Sequence, residues 1–467
     1  MFRYPLLEVQ FFSINDFLFV PICFVLMYAI LRNRANGCKD DGIRKYYYQA
    51  FYFKVFCVVA YSIITEFYFG GGDTSLYYQG IKDLRAALNE DFRHFGEIAT
   101  SQQLDDANPL SPFFLYDNYE NDITYNYMRA ANNFFVPRLA IIPSLIFFNS
   151  YLCICLCFMM FALGGALRLF KMFYYYYPGA KRELATAILF LPSVGFWSSG
   201  LLKDTICFGA IGFILYGFQN VFIRKRQIGP SIFWIAISAY LLFYIKTYIF
   251  LVLLLAISIW IFAETNRLIQ DRTLRQVFAF ITFTVGVAAG YFMVQYFTSQ
   301  ETVKQYQLDN LVSAAENQRL NYLMVDLQSE QRTSYYSINA SNPFLLVVNS
   351  IGATFFRPLP WEVRSAAAVL SAVEALAFIL LTVNLFYKKG VSKPFREILR
   401  DPRLLMSFIF AMVFAVGVGA ATANFGTLSR YKIPSMPFYM ITIIMAYRNT
   451  QTPYPQWFRR ILSYQTA

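Results

Sequence analysis

Residues 230–264 read PSIFWIAISAYLLFYIKTYIFLVLLLAISIWIFAE, and Lys246 is the only charge in this stretch before its last residue, Glu264. A helix crosses the hydrocarbon core of a bilayer with about 20 consecutive apolar residues. The stretch is therefore predicted to cross twice, over approximately 230–245 and 247–264, with a tight hairpin at Lys246. Runs of the same kind lie on both sides, at approximately 12–31, 48–69, 140–167, 184–200, 204–223, 276–297, 365–387, 404–422 and 433–447. Together the eleven runs predict an all-α, polytopic integral membrane protein, residues 1–467 forming a single transmembrane domain.

Composition points the same way. Of 467 residues, 57% are hydrophobic, 19% aromatic and only 15% charged, against about 25% charged in a soluble domain; a soluble globule is excluded. The single histidine, His94, excludes most His-based nucleophile and zinc chemistry, so any catalysis rests on carboxylates, Lys, Arg and Tyr. The net charge of +12 is what cytoplasmic loops collect for topological reasons, and no basic-aromatic module implies a nucleic-acid partner. Six of the seven cysteines lie in apolar runs and Cys38 in a basic loop, without a disulfide framework. Cys153, Cys155 and Cys157 fan around a helix at helical pitch, which suits packing better than a metal.

The 12–31 run lacks a small-residue cleavage site and is followed by Arg32 and Arg34, as expected of a retained signal anchor. Lys and Arg crowd into Arg32–Lys45, Arg168–Arg182, Arg224–Arg226, Arg267–Arg275, Lys388–Arg403 and Arg448–Arg460, 24 of the 40 in all, with Lys54 near a cytoplasmic end as one more. The loops at 70–138 and 298–342 carry few cations and many acids, among them Asp83, Glu90, Asp91, Asp105, Glu301 and Asp309. The positive-inside rule then puts both loops and the N-terminus outside and the C-terminus in the cytoplasm. The second outer loop extends to 364. Its apolar part, 343–356, is expected to be a lipid-surface or re-entrant helix, because a crossing there would put the Lys388–Arg403 loop on the wrong side. Amphipathic helices are expected in the 70–138 loop, where Phe113, Phe114, Tyr116, Tyr119, Tyr125 and Tyr127 offer aromatic surface.

Five polar motifs interrupt the apolar sequence, all at outer ends in this topology. Gly70-Gly71-Gly72-Asp73-Thr74, with Tyr77 and Tyr78 following, allows positive φ and close approach of a ligand. Trp197 to Thr205 carries Lys203 and Asp204 after a short span broken by Pro192 and Gly195; such charges are costly unless paired or at a wet cavity. Lys246 is the third. Phe356 to Arg364 sets Arg357, Glu362 and Arg364 in a proline-stiffened turn beside Trp361. Asn424 to Lys432 places Arg430 and Lys432 outside, against the topological trend, for which anionic phosphate is a local reason.

These residues specify a cationic cleft. Lys203, Lys246, Arg357, Arg364, Arg430 and Lys432 are candidate diphosphate partners. Asp73, Asp204 and Glu362 are candidate catalytic acids or bases, and Tyr77, Tyr78, Trp197 and Trp361 candidate sugar-stacking surfaces. A polyprenyl-diphosphate-linked sugar has its tail in lipid, its diphosphate at the interface and its glycan in water, which is what such a cleft serves. No metal or other cofactor is expected; a divalent ion at Asp73 lacks a second acid.

At these motifs the chain resembles the multi-spanning bacterial glycosyltransferases and polysaccharide polymerases that use lipid-linked donors, the GT-C-like and O-antigen or exopolysaccharide polymerase group. Gly71-Gly72-Asp73 with its tyrosines resembles that group's acidic outer-loop motif, and Trp197–Asp204 and Arg430–Pro437 its outer-loop Ser-Gly and Arg-rich segments. The resemblance implies a periplasmic active site, polyprenyl-diphosphate (undecaprenyl diphosphate in bacteria) as the lipid carrier and the bacterial cytoplasmic (inner) membrane as location. It departs from the group in that Asp73 follows the second span rather than the first. A flippase for lipid-linked oligosaccharide and a non-catalytic scaffold of an envelope export machine are the alternatives; a flippase calls for charges deep in its spans, of which Glu66 and Glu374 are examples.

Overall fold

The computed structural model describes residues 10–38, 40–115, 123–268, 342–363, 366–422 and 424–464, with isolated positions between 271 and 320. Its regular structure is entirely helical. Seven of the described helices are long and apolar enough to cross a membrane: Ile14–Asn36, Gly42–Phe69, Tyr151–Tyr176, Lys203–Arg224, Ile228–Thr265, Ala368–Lys389 and Pro402–Ala421. The chain is an all-helical, multi-pass membrane protein.

The difference from eleven runs has local causes. The 140–167 run is cut at residues 147–150 into α7 (Ala131–Ile146) and α8 (Tyr151–Tyr176), where Phe148 and Asn149 take positive φ of 48° and 62°. Pro192 and the turn before it divide 184–200 into α9 (Lys181–Ile188) and α10 (Pro192–Trp197). Residues 228–268 hold two helices joined at a kink at Lys246 (φ −145°, ψ 77°), so the two expected runs meet there and count as one long helix. The last run is the 14-residue helix Met436–Asn449, about 21 Å at 1.5 Å per residue. Most of 276–297 lies outside the described residues.

Two compact units divide the chain. The first comprises residues 1–172 and 195–246, with α1 (Ile14–Asn36), α2 (Asp41–Ile63), α3 (Asp73–Glu90), α4 (His94–Thr100), α5 (Ser111–Leu115), α6 (Ile123–Met128), α7, α8, α11 (Lys203–Phe218) and the first part of α12 (Ile228–Leu268). Its tightest crossing joins α8 to α11: a Cβ on Gly165 would lie 2.1 Å from the Gly209 carbonyl oxygen, and one on Gly212 equally close to that of Gly165. Because backbone rather than a flexible side chain fills the space, Gly165→Val should force the helices apart. Overpacking of this kind costs about 1–3 kcal/mol, and the melting temperature in detergent should fall accordingly, with Gly165→Ala intermediate.

One end of this unit gathers the N-termini of α1 and α8: Asp16 accepts the Ser13 N–H at 2.7 Å, the Ser150 hydroxyl and the Leu152 N–H at 3.4 Å. Tyr78 of α3 reaches the same end, donating to the Asn149 carbonyl at 2.8 Å. Cations mark the other end, where Arg168 lies over the Phe213 and Trp234 rings and Lys171 over Tyr47.

The second unit comprises residues 173–194 and 247–467. It holds α9, the second part of α12, α13 (Pro343–Phe356), α14 (Ala366–Lys389), α15 (Ser392–Arg400), α16 (Pro402–Ala421), α17 (Phe425–Tyr431), α18 (Met436–Asn449) and α19 (Gln456–Tyr464). A Cβ on Gly419 would lie 2.3 Å from the Ser350 carbonyl oxygen, while Thr354 Oγ1 donates to the Ala415 carbonyl at 2.9 Å. These paired positions run in opposite directions, so α13 lies antiparallel along α16 rather than across it. From Met436 to Tyr447, α18 is buried without interruption, and Tyr439 stacks on Phe355 at 4.1 Å. At one end of this unit the cations are tied down: Arg403 pairs with Glu264 at 2.8 Å, Tyr177 donates to Asp401 at 2.7 Å, and Arg448 faces Glu183 at 3.5 Å.

Candidate functional site

In the first unit α2 ends in a π-helical turn, Ile64–Phe69, and the chain reverses through Gly70, Gly71 and Gly72 at φ of 63°, 121° and 99°. Side chains rarely adopt such angles, and a Cβ on Gly71 would also meet Ser75 Oγ at 2.8 Å. The turn delivers half-buried Asp73 as the first residue of α3, where the unsatisfied N–H groups and the helix dipole favour a carboxylate. Its neighbour Thr74 shares a 2.6 Å hydrogen bond with Tyr61 and reaches the Leu201 carbonyl at 3.5 Å. The glycine turn is thereby joined to the turn that starts α11, and the Tyr61 ring occupies the space a Cβ on Gly200 would need.

Two consecutive charges open α11. Lys203, 8% exposed, donates to Asn133 Oδ1 of α7. Asp204 is fully buried, and its ion partner is Lys246, 9% exposed, at the break in α12. Lys246 is thus an ion-paired residue at the kink between two helices.

The sequence places Lys54 near a cytoplasmic helix end and not among the candidate site residues. It lies in mid-α2 at 2% exposure, away from either helix end, and its ammonium donates to the carbonyls of Gly195 (3.3 Å) and Ser198 (3.0 Å) and to the hydroxyls of Ser198 and Ser199. None of these partners is a carboxylate. The carbonyls and hydroxyls at the end of α10 (Pro192–Trp197) solvate the charge in place of water. The visible signal was Ser198-Ser199-Gly200, small residues through which a lysine reaches backbone oxygen.

The aromatic candidates of this unit are built into it. Tyr77 and Tyr78 are buried, Tyr77 accepting from the Tyr127 hydroxyl at 3.1 Å. Trp197 is 9% exposed, stacked near Phe69 and edge-on to Tyr61 and Phe196. In the expected outer loop, Phe114 and Tyr125 are buried and Phe113 and Tyr127 half-buried; Tyr116 and Tyr119 lie outside the described residues.

In the second unit the turn after α13 is organised by Glu362, which receives both Nε and Nη2 of Arg357 and the Leu359 N–H at 2.8 Å. Burial pushes the Glu362 carboxyl up, but the Arg357 hydrogen bond, the Leu359 N–H and the guanidinium charge together outweigh it and hold it below the usual carboxylate range. Such a carboxylate is a weak base. The Arg357–Pro358 peptide is cis, the Arg357 guanidinium lies 5.2 Å over the Phe425 ring, and Lys432 donates to the Arg357 carbonyl at 3.1 Å. Trp361 is 79% exposed beside the turn. Arg430 is half-buried on α17; Arg364 lies outside the described residues. The candidates thus form two groups, Asp73, Lys203, Asp204 and Lys246 in the first unit, and Arg357, Glu362, Arg430 and Lys432 in the second. Among the described residues no group of three His, Cys, Asp or Glu side chains is placed to hold a metal ion.

Burial of Lys432 lowers its amine from the ordinary 10.5 to about 8, Glu374 opposing the shift. Between about pH 8 and pH 10.5 the unfolded chain binds the proton that the folded chain has released, so stability rises with pH across that window. Unfolding measured by tryptophan fluorescence should show this rise, and Lys432→Met should flatten it.

Comparison of the chain with models of known families, with curated proteins and with solved structures returns no match.

Proposed function

We propose that the chain is a membrane glycosyltransferase or glycan polymerase that takes its donor from a polyprenyl-diphosphate-linked sugar at the periplasmic face of a bacterial cytoplasmic membrane. In this reading the chain crosses eleven times, the glycine and Lys203 turns lie outside, and the C-terminus is cytoplasmic. The observation that carries it is in the first unit. There the glycine turn bearing Asp73 is hydrogen-bonded to the turn bearing Lys203 and Asp204, and Asp204 to Lys246, at helix ends away from the cation-rich end. Asp73 is the base for an acceptor hydroxyl. Lys203 and Lys246 hold the leaving diphosphate.

The acceptor oxygen bonds to the anomeric carbon as the bond to the diphosphate breaks, the hydroxyl proton passing to Asp73 and the electron pair leaving with diphosphate. Purified protein in nanodiscs should retain undecaprenyl diphosphate over undecaprenol in native mass spectrometry. Equal retention of the two would remove the cationic site from the account.

A flippase for the same lipid-linked substrate is the second reading, favoured by Lys54 and Glu374, charged types buried within apolar helices. It predicts the same lipid preference without release of diphosphate.

A further inference from the structure

Glu374 lies more than two turns into α14 and is 5% exposed. Its Oε1 accepts the Ser193 N–H at 2.8 Å, while its Oε2 is buried and meets no hydrogen-bond partner among the described residues. The Ser193 hydroxyl lies beside the Glu374 carboxyl, and the Ser371 hydroxyl, one helical turn before Glu374, is buried without a hydrogen-bond partner among the described residues. Lys432, 1% exposed, spends a single N–H on the Arg357 carbonyl. Lys432 precedes α18, whose Tyr439 packs on Phe378, one helical turn past Glu374 in α14, so ammonium and carboxylate share one region of the unit and act on one another electrostatically; they form no direct ion pair.

Buried charged groups with unused hydrogen-bonding capacity are expensive, because each keeps its desolvation penalty without a partner to offset it. The chemistry of what satisfies both groups is narrow. A cation suits Glu374 but is repelled by Lys432; an ionised phosphate suits Lys432 but is repelled by Glu374. An apolar group satisfies neither. A hydroxyl is the smallest group that donates to a carboxylate and accepts from an ammonium through one atom.

We propose that Glu374 and Lys432, with the hydroxyls of Ser193 and Ser371, form a binding site for a single neutral hydroxyl group, carried by water or by a polyol such as a sugar. The site stands without the transfer reaction, since it uses none of the groups assigned to base or leaving-group chemistry.

Infrared difference spectroscopy on the full-length protein in nanodiscs tests it, the Glu374 band being the one lost in Glu374→Gln. The probes are isotope-labelled water, glycerol and methyl glucoside. A band shift with labelled water alone establishes water as the occupant, and a saturable shift with glycerol or methyl glucoside establishes a polyol. In either case Lys432→Met should abolish the response while the Glu374 band persists. A band insensitive to all three probes, or a response unchanged in Lys432→Met, overturns the proposal. If Glu374→Gln does not fold, Ser193→Ala serves for assignment, because it keeps the backbone N–H and removes only a hydroxyl, and it should shift the same band.

Discussion

Asp204→Ala is expected to lower the stability of the protein by about 3–5 kcal/mol, the usual result of removing one member of a buried ion pair. Asp204 is fully buried and Lys246 nearly so, and the lysine stands where α12 loses its helical backbone. Without the carboxylate the ammonium keeps its desolvation penalty and loses this compensation. The double variant Asp204→Ala, Lys246→Met should recover most of the loss, since it removes the ammonium together with the carboxylate that faces it. Denaturant unfolding in detergent measures the cycle. Additive losses in the double variant would show that the two residues act separately.

Asp73→Asn carries the other large effect. Asparagine matches aspartate in size and keeps a polar side chain at the first residue of α3, and the three positive-φ glycines before it are untouched, so the fold should be kept. A general base is lost, however, and such a group contributes about 100- to 10,000-fold in rate. Glycan formed per molecule of protein, in cells lacking the native gene, should fall by that factor. Asp73 is favoured over Glu362 because the latter is held by Arg357 and the Leu359 N–H, and its lowered pKa makes it a poor proton acceptor. Glu362→Gln should therefore act mainly by loosening the Arg357 turn.

The membrane class was legible because burial in lipid leaves a one-dimensional trace, long runs with few charges. The Gly70–Gly72 reversal was legible too, since three successive glycines before an acidic residue have few other uses. Helix interruptions were not. Phe148 and Asn149 interrupt the 140–167 run with positive φ that no Gly or Pro announces, whereas the break in α12 falls at Lys246, where the charge already divides two apolar runs. Pairings between distant segments were equally hidden: Asp204 finds Lys246 rather than adjacent Lys203, and Lys54 finds the carbonyls after α10. Charge counting assigned Lys54 to a helix end because a lysine in mid-span is rare; only the three-dimensional supply of oxygens explains it.

The direct test of the proposed chemistry follows the leaving group, which any glycosyl transfer from this kind of donor releases whatever the sugar. Protein reconstituted with lipid-linked glycan extracted from cells lacking the gene should release free polyprenyl diphosphate as the glycan lengthens, and the Asp73→Asn protein should retain donor and release none. Movement of intact lipid-linked glycan between leaflets with no diphosphate released, or equal release by the Asp73→Asn protein, would contradict the account.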